Sequence, residues 1–182
     1  MTRWEALRAD IEASRSSSKS KPWSTVLRAE VKRLVALQLC DESAPHWITQ
    51  ETIDGGGTKI GFLKYGDAEL GNYRALALTG LPFLHDAKLS MSVVADRRNR
   101  LKEYTIGVVG QHKLAPQGWY VRIDLDPEQR GSGPCCHPVL HCHVGENPDG
   151  KGQESRTPLP WLDPDDALGW ILATLDQQLE PK

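Results

Sequence analysis

Apolar positions recur along this chain at two periods, near 3.6 toward the ends and 2 through the middle, and that division predicts an α+β fold on a largely antiparallel sheet. Near the N-terminus Trp4, Leu7 and Ile11 repeat at helical intervals behind Thr2 and Glu5, which have capping-box spacing, so residues 2–13 are predicted as a short helix. The run SRSSSKSKP that follows offers serine and lysine where a packed segment needs apolar side chains, and is expected to be a flexible linker. Pro22 and Ser24 then open a second helix reaching about Cys40, with Leu27, Val31, Leu34 and Val35 as its buried stripe. The organisation expected is an N-terminal helical arm and linker over residues 1–21, and a single α+β domain over residues 22–182.

From His46 the pattern turns to short β-like runs. HWITQETI and TKIGFLKY, separated by the turn signal DGGG, predict a hairpin. Residues 66–88 carry no period that assigns them, whereas KLSMSVVAD, residues 88–96, reads as a strand ending at a charged loop, DRRNRLK. EYTIGVVG, GWYVRIDLD and CCHPVLHCHV follow as extended runs joined by loops with Gly or Pro, which predicts a meander. Asp163 and Pro164 pair an N-cap with a proline at the first helical position, and Asp165 and Asp166 suit the helix dipole. The helix they open would bury Leu168, Ile171, Leu172, Leu175 and Leu179 against one face of the sheet, with Trp161 and Trp170 at its ends or flanks.

Composition narrows the function classes. The chain has 182 residues, 39% hydrophobic and 25% charged, enough for one compact domain with a core. A net charge of -2 and a pI near 6.3 exclude bulk charge as a means of holding nucleic acid or an anionic membrane, so such contacts would be local. No apolar run approaches the roughly 20 residues of a spanning helix, and the charged N-terminus does not resemble a signal peptide, so a cytoplasmic protein without membrane contact is expected. Of 4 cysteines, Cys135, Cys136 and Cys142 cluster and Cys40 stands apart, with no paired CxxC motifs for a zinc ribbon, which implies reduced thiols.

The chemistry concentrates in CCHPVLHCHVGENPDG, residues 135–150. On a strand, His141 and His143 point to one face and can chelate one ion, with His137 further along that face. If GWYVRIDLD pairs beside it, Arg122, Asp124 and Asp126 join the same face. Histidines, a carboxylate and a guanidinium together suit a hydrolytic site holding a divalent metal, zinc or manganese, through His137, His141 and His143. The same groups also suit metal-free acid/base chemistry. In such a site His141 and His143 bind metal or move protons, Asp124 orients a histidine or adds a ligand, and Arg122 or Arg156 holds a phosphate. The structural alternative is histidines with no role on the solvent face of an edge strand. Cys136 and Cys142 share parity with Leu140 and Val144 and read as small buried hydrophobes. Arg97, Arg98, Arg100 and Lys102 read as a solvated loop, and DGGG lacks the Lys-Ser/Thr ending of a phosphate-binding loop.

Two resemblances add a setting. His137-Pro138, then Trp161 with Pro164 and a helix, is similar to the end of ubiquitin-conjugating domains, but residue 147, near where that family carries its nucleophilic cysteine, is asparagine. That resemblance implies a non-catalytic relative. Over residues 104–179, RIDLDPEQRGSGPCCHPVLHCHVG and SRTPLPWLDPDDALGWIL resemble small bacterial proteins of toxin–antitoxin and phage-defence loci, including TumE-like toxins, through Arg122, Asp124, Pro127, His137, Pro138, His141, His143, Arg156, Pro158 and Pro164. This implies a component of a bacterial defence or toxin–antitoxin system, acting on nucleic acid or within a protein complex, as a metal-dependent hydrolase or as a non-catalytic interaction module.

Overall fold

A computed structural model describes residues 21–71, 73–81, 84–112, 118–126, 139–145 and 155–177, with the backbone alone at 155, 156 and 174–177. These residues form helices α1 (Trp23–Ala36) and α2 (Pro164–Gln177) and one nine-stranded sheet. Its strands are β1 (Thr49–Thr52), β2 (Thr58–Gly61), β3 (Ala68–Leu70), β4 (Tyr73–Leu78), β5 (Leu84–Ala95), β6 (Leu101–His112), β7 (Gly118–Leu125), β8 (Leu140–Gly145) and β9 (Ser155–Pro158). Every pairing is antiparallel, in the order β1-β2-β5-β6-β7-β8-β9. The β1–β2 hairpin and the β6–β7–β8 meander are as the sequence predicts. The expected arm and linker lie outside the described residues apart from Lys21.

The long strand β5 organises one half of the sheet, because two partners share one of its edges. Ser92–Ala95 pair with β2, and Ala87–Leu89 pair with β4. A bulge between His85 and Lys88, with Asp86 at φ 52°, breaks the register where the strand runs past β4. Short strands and this irregularity explain why residues 66–88 carry no legible period.

Alternation sorts the residues of the central strands between two faces. Met91 and Val93 on β5, Tyr104, Ile106 and Val108 on β6, Val121, Ile123 and Leu125 on β7, and Leu140 and Cys142 on β8 are buried in one core. Both helices cover that face, α1 against β2 and α2 against β6 and β7, and they touch each other. α1 contributes Trp23, Leu27, Val31 and Leu34, and α2 contributes Ala167, Leu168 and Ile171. At about 1.5–3 kcal/mol for each large aliphatic side chain removed from water, this burial drives the assembly. Leu172 and Trp161 pack partly against it, and Trp170 on α2 is 38% exposed. No helix among the described residues is long and apolar enough to cross a membrane.

Both ends of α1 are set by residues that helix periodicity does not report. Pro22 has no side chain able to cap the first turn. Asn99, in the β5–β6 turn, supplies the cap instead: its Oδ1 accepts from Trp23 N at 3.4 Å, its Nδ2 donates to Lys21 O at 2.9 Å, and its carbonyl accepts from Trp23 Nε1 at 3.1 Å. The helix stops at Ala36, four residues short of the expected Cys40. There Leu39 N bonds to Leu34 O and Gln38 N to Val35 O, the Schellman pattern, with Gln38 at φ 57° where glycine is usual. α2 begins at Pro164 as predicted, and Ala167 N donates to Asp163 O at 2.8 Å.

Asn99→Ala is expected to lower stability by about 1 kcal/mol, the usual worth of an N-cap, seen as a lower urea midpoint at unchanged slope. An unchanged midpoint would remove the long-range cap from this account. Conversely, Gln38→Gly is expected to raise stability by about 0.5–1 kcal/mol by relieving left-handed strain, and a lower midpoint would contradict the Schellman assignment.

Candidate metal centre

The face of the sheet opposite the helices is polar, and strand register arranges its residues in rows. One row runs Ser92, Thr105, Asp124, His141 and Pro158 across β5 to β9, and the next runs Ser90, Gly107, Arg122, His143 and Arg156. β7 and β8 thus bring Arg122, Asp124, His141 and His143 into one square of directly opposed pairs, where side chains lie close enough to interact. The imidazoles of His141 and His143 meet edge to face, with centroids 4.7 Å apart.

Asp124 is the hub of this square. Its Oδ2 accepts from Arg122 Nε at 2.8 Å and lies 3.1 Å from His143 Nε2. Burial alone would raise its pKa, but hydrogen bonds from His143, Thr105 and Arg122 and the Arg122 charge outweigh that penalty and hold the carboxyl below its ordinary value. The carboxylate is therefore ionised at neutral pH. Its second oxygen, Oδ1, is buried and has no hydrogen-bond partner among the described residues, a costly state that a cation would relieve. A neutral His143 that donates from Nε2 carries its lone pair on Nδ1.

Asp124, His141 and His143 each offer one ligand atom, and these atoms lie within 4.8 Å of one another. The cluster can hold a metal ion: two imidazole nitrogens and a carboxylate oxygen are a donor set suited to divalent transition metals. Asp124 is 9% exposed, His141 1% and His143 2%, so the site is enclosed. Arg122 marks its more open side, with a side chain 34% exposed. Gly107 gives that side chain its space, since a Cβ there would lie 3.2 Å from Arg122 Cγ and 3.3 Å from its Cβ.

Sequence reasoning and structure meet on most of this square and part at its edges. His141, His143, Asp124 and Arg122 do share a face, but not the solvent face of an edge strand: β9 pairs along the far side of β8, and both imidazoles are buried. Asp126 falls beyond the end of β7, where its N–H bonds to Val139 O at 2.9 Å. The expected third ligand, His137, lies outside the described residues, as do Cys135 and Cys136. Arg156 belongs to a strand the sequence did not predict, β9, and its backbone pairs opposite His143. Cys142 is buried as expected, and burial together with the nearby Asp124 charge pushes its thiol up to about 11, which removes it as a nucleophile. Thr105 and Gly107 were missed, although both are legible in the alternation of EYTIGVVG, on the parity opposite Tyr104, Ile106 and Val108.

No protein-family model, curated protein or solved structure matches the chain. The site therefore stands on its own geometry.

Linkage gives this geometry a measurable sign. A carboxyl whose folded-state pKa lies below its unfolded value of about 3.9 contributes stability that is complete above that value and is lost as pH falls through the folded-state value. In metal-free protein, unfolding free energy is expected to drop as pH is lowered below the ordinary aspartate range, and Asp124→Asn is expected to flatten that slope. Parallel pH profiles of wild type and variant, from urea titrations, would remove Asp124 from the ion-paired role.

Proposed function

We propose that this protein is a divalent-metal-dependent hydrolase, a component of a bacterial defence or toxin–antitoxin-type system working on nucleic acid or inside a protein complex. One observation carries the reading: three buried, mutually adjacent metal-ligand donors, Asp124, His141 and His143, with an arginine ion-paired to the carboxylate. A structural zinc site uses four protein ligands, whereas a catalytic one uses three and keeps a position for water. Among the described residues the donors number three, which fits the second type. Zinc or manganese in it would supply an activated water near neutral pH.

The chain's own residues take defined parts in this proposal. His141 and His143 would hold the ion and Asp124 would add a carboxylate oxygen, while Asp124 Oδ2 fixes the orientation of His143. Arg122 offers positive charge at the accessible side of the site. The resemblance to toxin–antitoxin and phage-defence proteins supports the setting, and a protein partner or complex subunit fits such systems.

Elemental analysis of purified wild type and of the His141→Ala/His143→Ala variant tests the reading. About one equivalent of zinc or manganese in wild type, lost in a variant that stays folded, is the expected result. A well-folded wild type free of metal that also takes up none on dialysis would overturn it and move the function to a non-catalytic interaction module. Stoichiometric iron would overturn the hydrolytic chemistry, because the same donor set also serves redox iron.

A further inference from the structure

We infer that the group entering this site is a terminal phosphate, that of a phosphomonoester on a nucleotide, an oligonucleotide end or another small molecule, and that Arg122 is the residue that binds it. The inference rests on the hydrolase reading above and names its substrate class.

The first observation is the state of the Arg122 guanidinium. One donor, Nε, is committed to Asp124 Oδ2 at 2.8 Å, which fixes the plane of the group. The terminal nitrogens have no hydrogen-bond or ion-pair partner among the described residues. A guanidinium anchored on one edge and open on the other is a preorganised fork for a tetrahedral oxyanion, which takes two parallel N–H bonds from it. The stem is placed as deliberately as the head. It lies over Gly107, and any larger residue there would crowd it.

The second observation is charge. Asp124 cancels Arg122, so a divalent cation on neutral histidines leaves the square net positive. A positive, enclosed site selects an anion, and the fork selects one with several equivalent oxygens.

The third is enclosure. His141 and His143 are 1% and 2% exposed, while the Arg122 side chain is 34% exposed. Approach over the partly exposed Arg122 suits a phosphate at a chain end better than a phosphodiester inside a duplex, which brings a backbone on both sides. The reaction balances as a hydrolysis: a water oxygen bonds to phosphorus, the ester P–O bond breaks, one proton of that water passes to the departing alkoxide, and the other stays on the phosphate. Inorganic phosphate and an alcohol result.

The test titrates inorganic phosphate into the full-length protein carrying its metal, by calorimetry, for wild type, Arg122→Gln, Arg122→Lys and Gly107→Val, with metal content measured on each sample. It then compares turnover of p-nitrophenyl phosphate and bis(p-nitrophenyl) phosphate. Expected are phosphate binding weakened about tenfold or more by Arg122→Gln, partly kept by Arg122→Lys, and weakened by Gly107→Val, at unchanged metal content, because the guanidinium edge is lost, kept as charge, or displaced. Only the monoester is expected to turn over. Metal-loaded wild type that binds no phosphate, binding indifferent to Arg122→Gln, or diester cleavage matching the monoester would overturn the inference. Arg122-dependent phosphate binding by wild type that holds no metal would overturn the hydrolase reading alone and leave the phosphate site standing.

Discussion

A single carboxylate oxygen shared between a guanidinium and an imidazole on a buried sheet face constrains everything around it. Asp124 could not stay ionised there without those partners, since an unpaired buried charge costs several kcal/mol. The partners in turn have no freedom to be elsewhere. Arg122 is two residues away on the same strand, and His143 is Arg122's direct cross-strand neighbour. A shift of one residue between β7 and β8 would carry the histidines to the helix-covered face and bring Leu140 and Cys142 opposite the charges. The register that completes the apolar core is thus the register that completes the site.

The scaffold behind this face explains why a site can be built on it. β6 and β7 lie between other strands, and on their reverse side they carry Tyr104, Ile106, Val121 and Ile123, packed under the helices. Tyr104 also donates to Leu162 O at 2.9 Å, tying the segment that leads into α2 to the centre of the sheet. Side chains mounted on strands whose backs are packed hold their positions better than side chains on loops. Asn99 extends the same economy to α1, because the turn that joins β5 to β6 also caps the helix lying over them.

Much of this was legible in the sequence, for a physical reason that also marks the limit. Period-two alternation assigned the faces of GWYVRIDLD and HCHV, and it follows from strand geometry alone, so His141 and His143 could be grouped before any pairing was known, and Asp124 joined them on the condition that the two runs pair. The DGGG hairpin and the Asp163-Pro164 helix start are local backbone chemistry and were equally readable. Burial of the histidines was not, because exposure depends on neighbouring strands, and β9 is a four-residue run with proline at its end that carries little strand signal. The true end of α1 was hidden because Gln38 takes a conformation its residue type does not advertise. Thr105's contribution to Asp124 needed the β6–β7 register.

Enclosure is what gives the candidate site its leverage and its cost. On a buried face each charge interaction is stronger than in solution, so a fixed guanidinium and a cation act on an anionic group with little screening. Within the same enclosure Asp124 Oδ1 finds no hydrogen-bond partner among the described residues, a deficit that lowers the stability of the fold. A ligand that satisfies this oxygen binds the folded state and not the unfolded one, so its binding free energy adds directly to folding. Binding and stability are therefore coupled through one atom: a group that fills the square is held more tightly because the fold around it is incomplete without one.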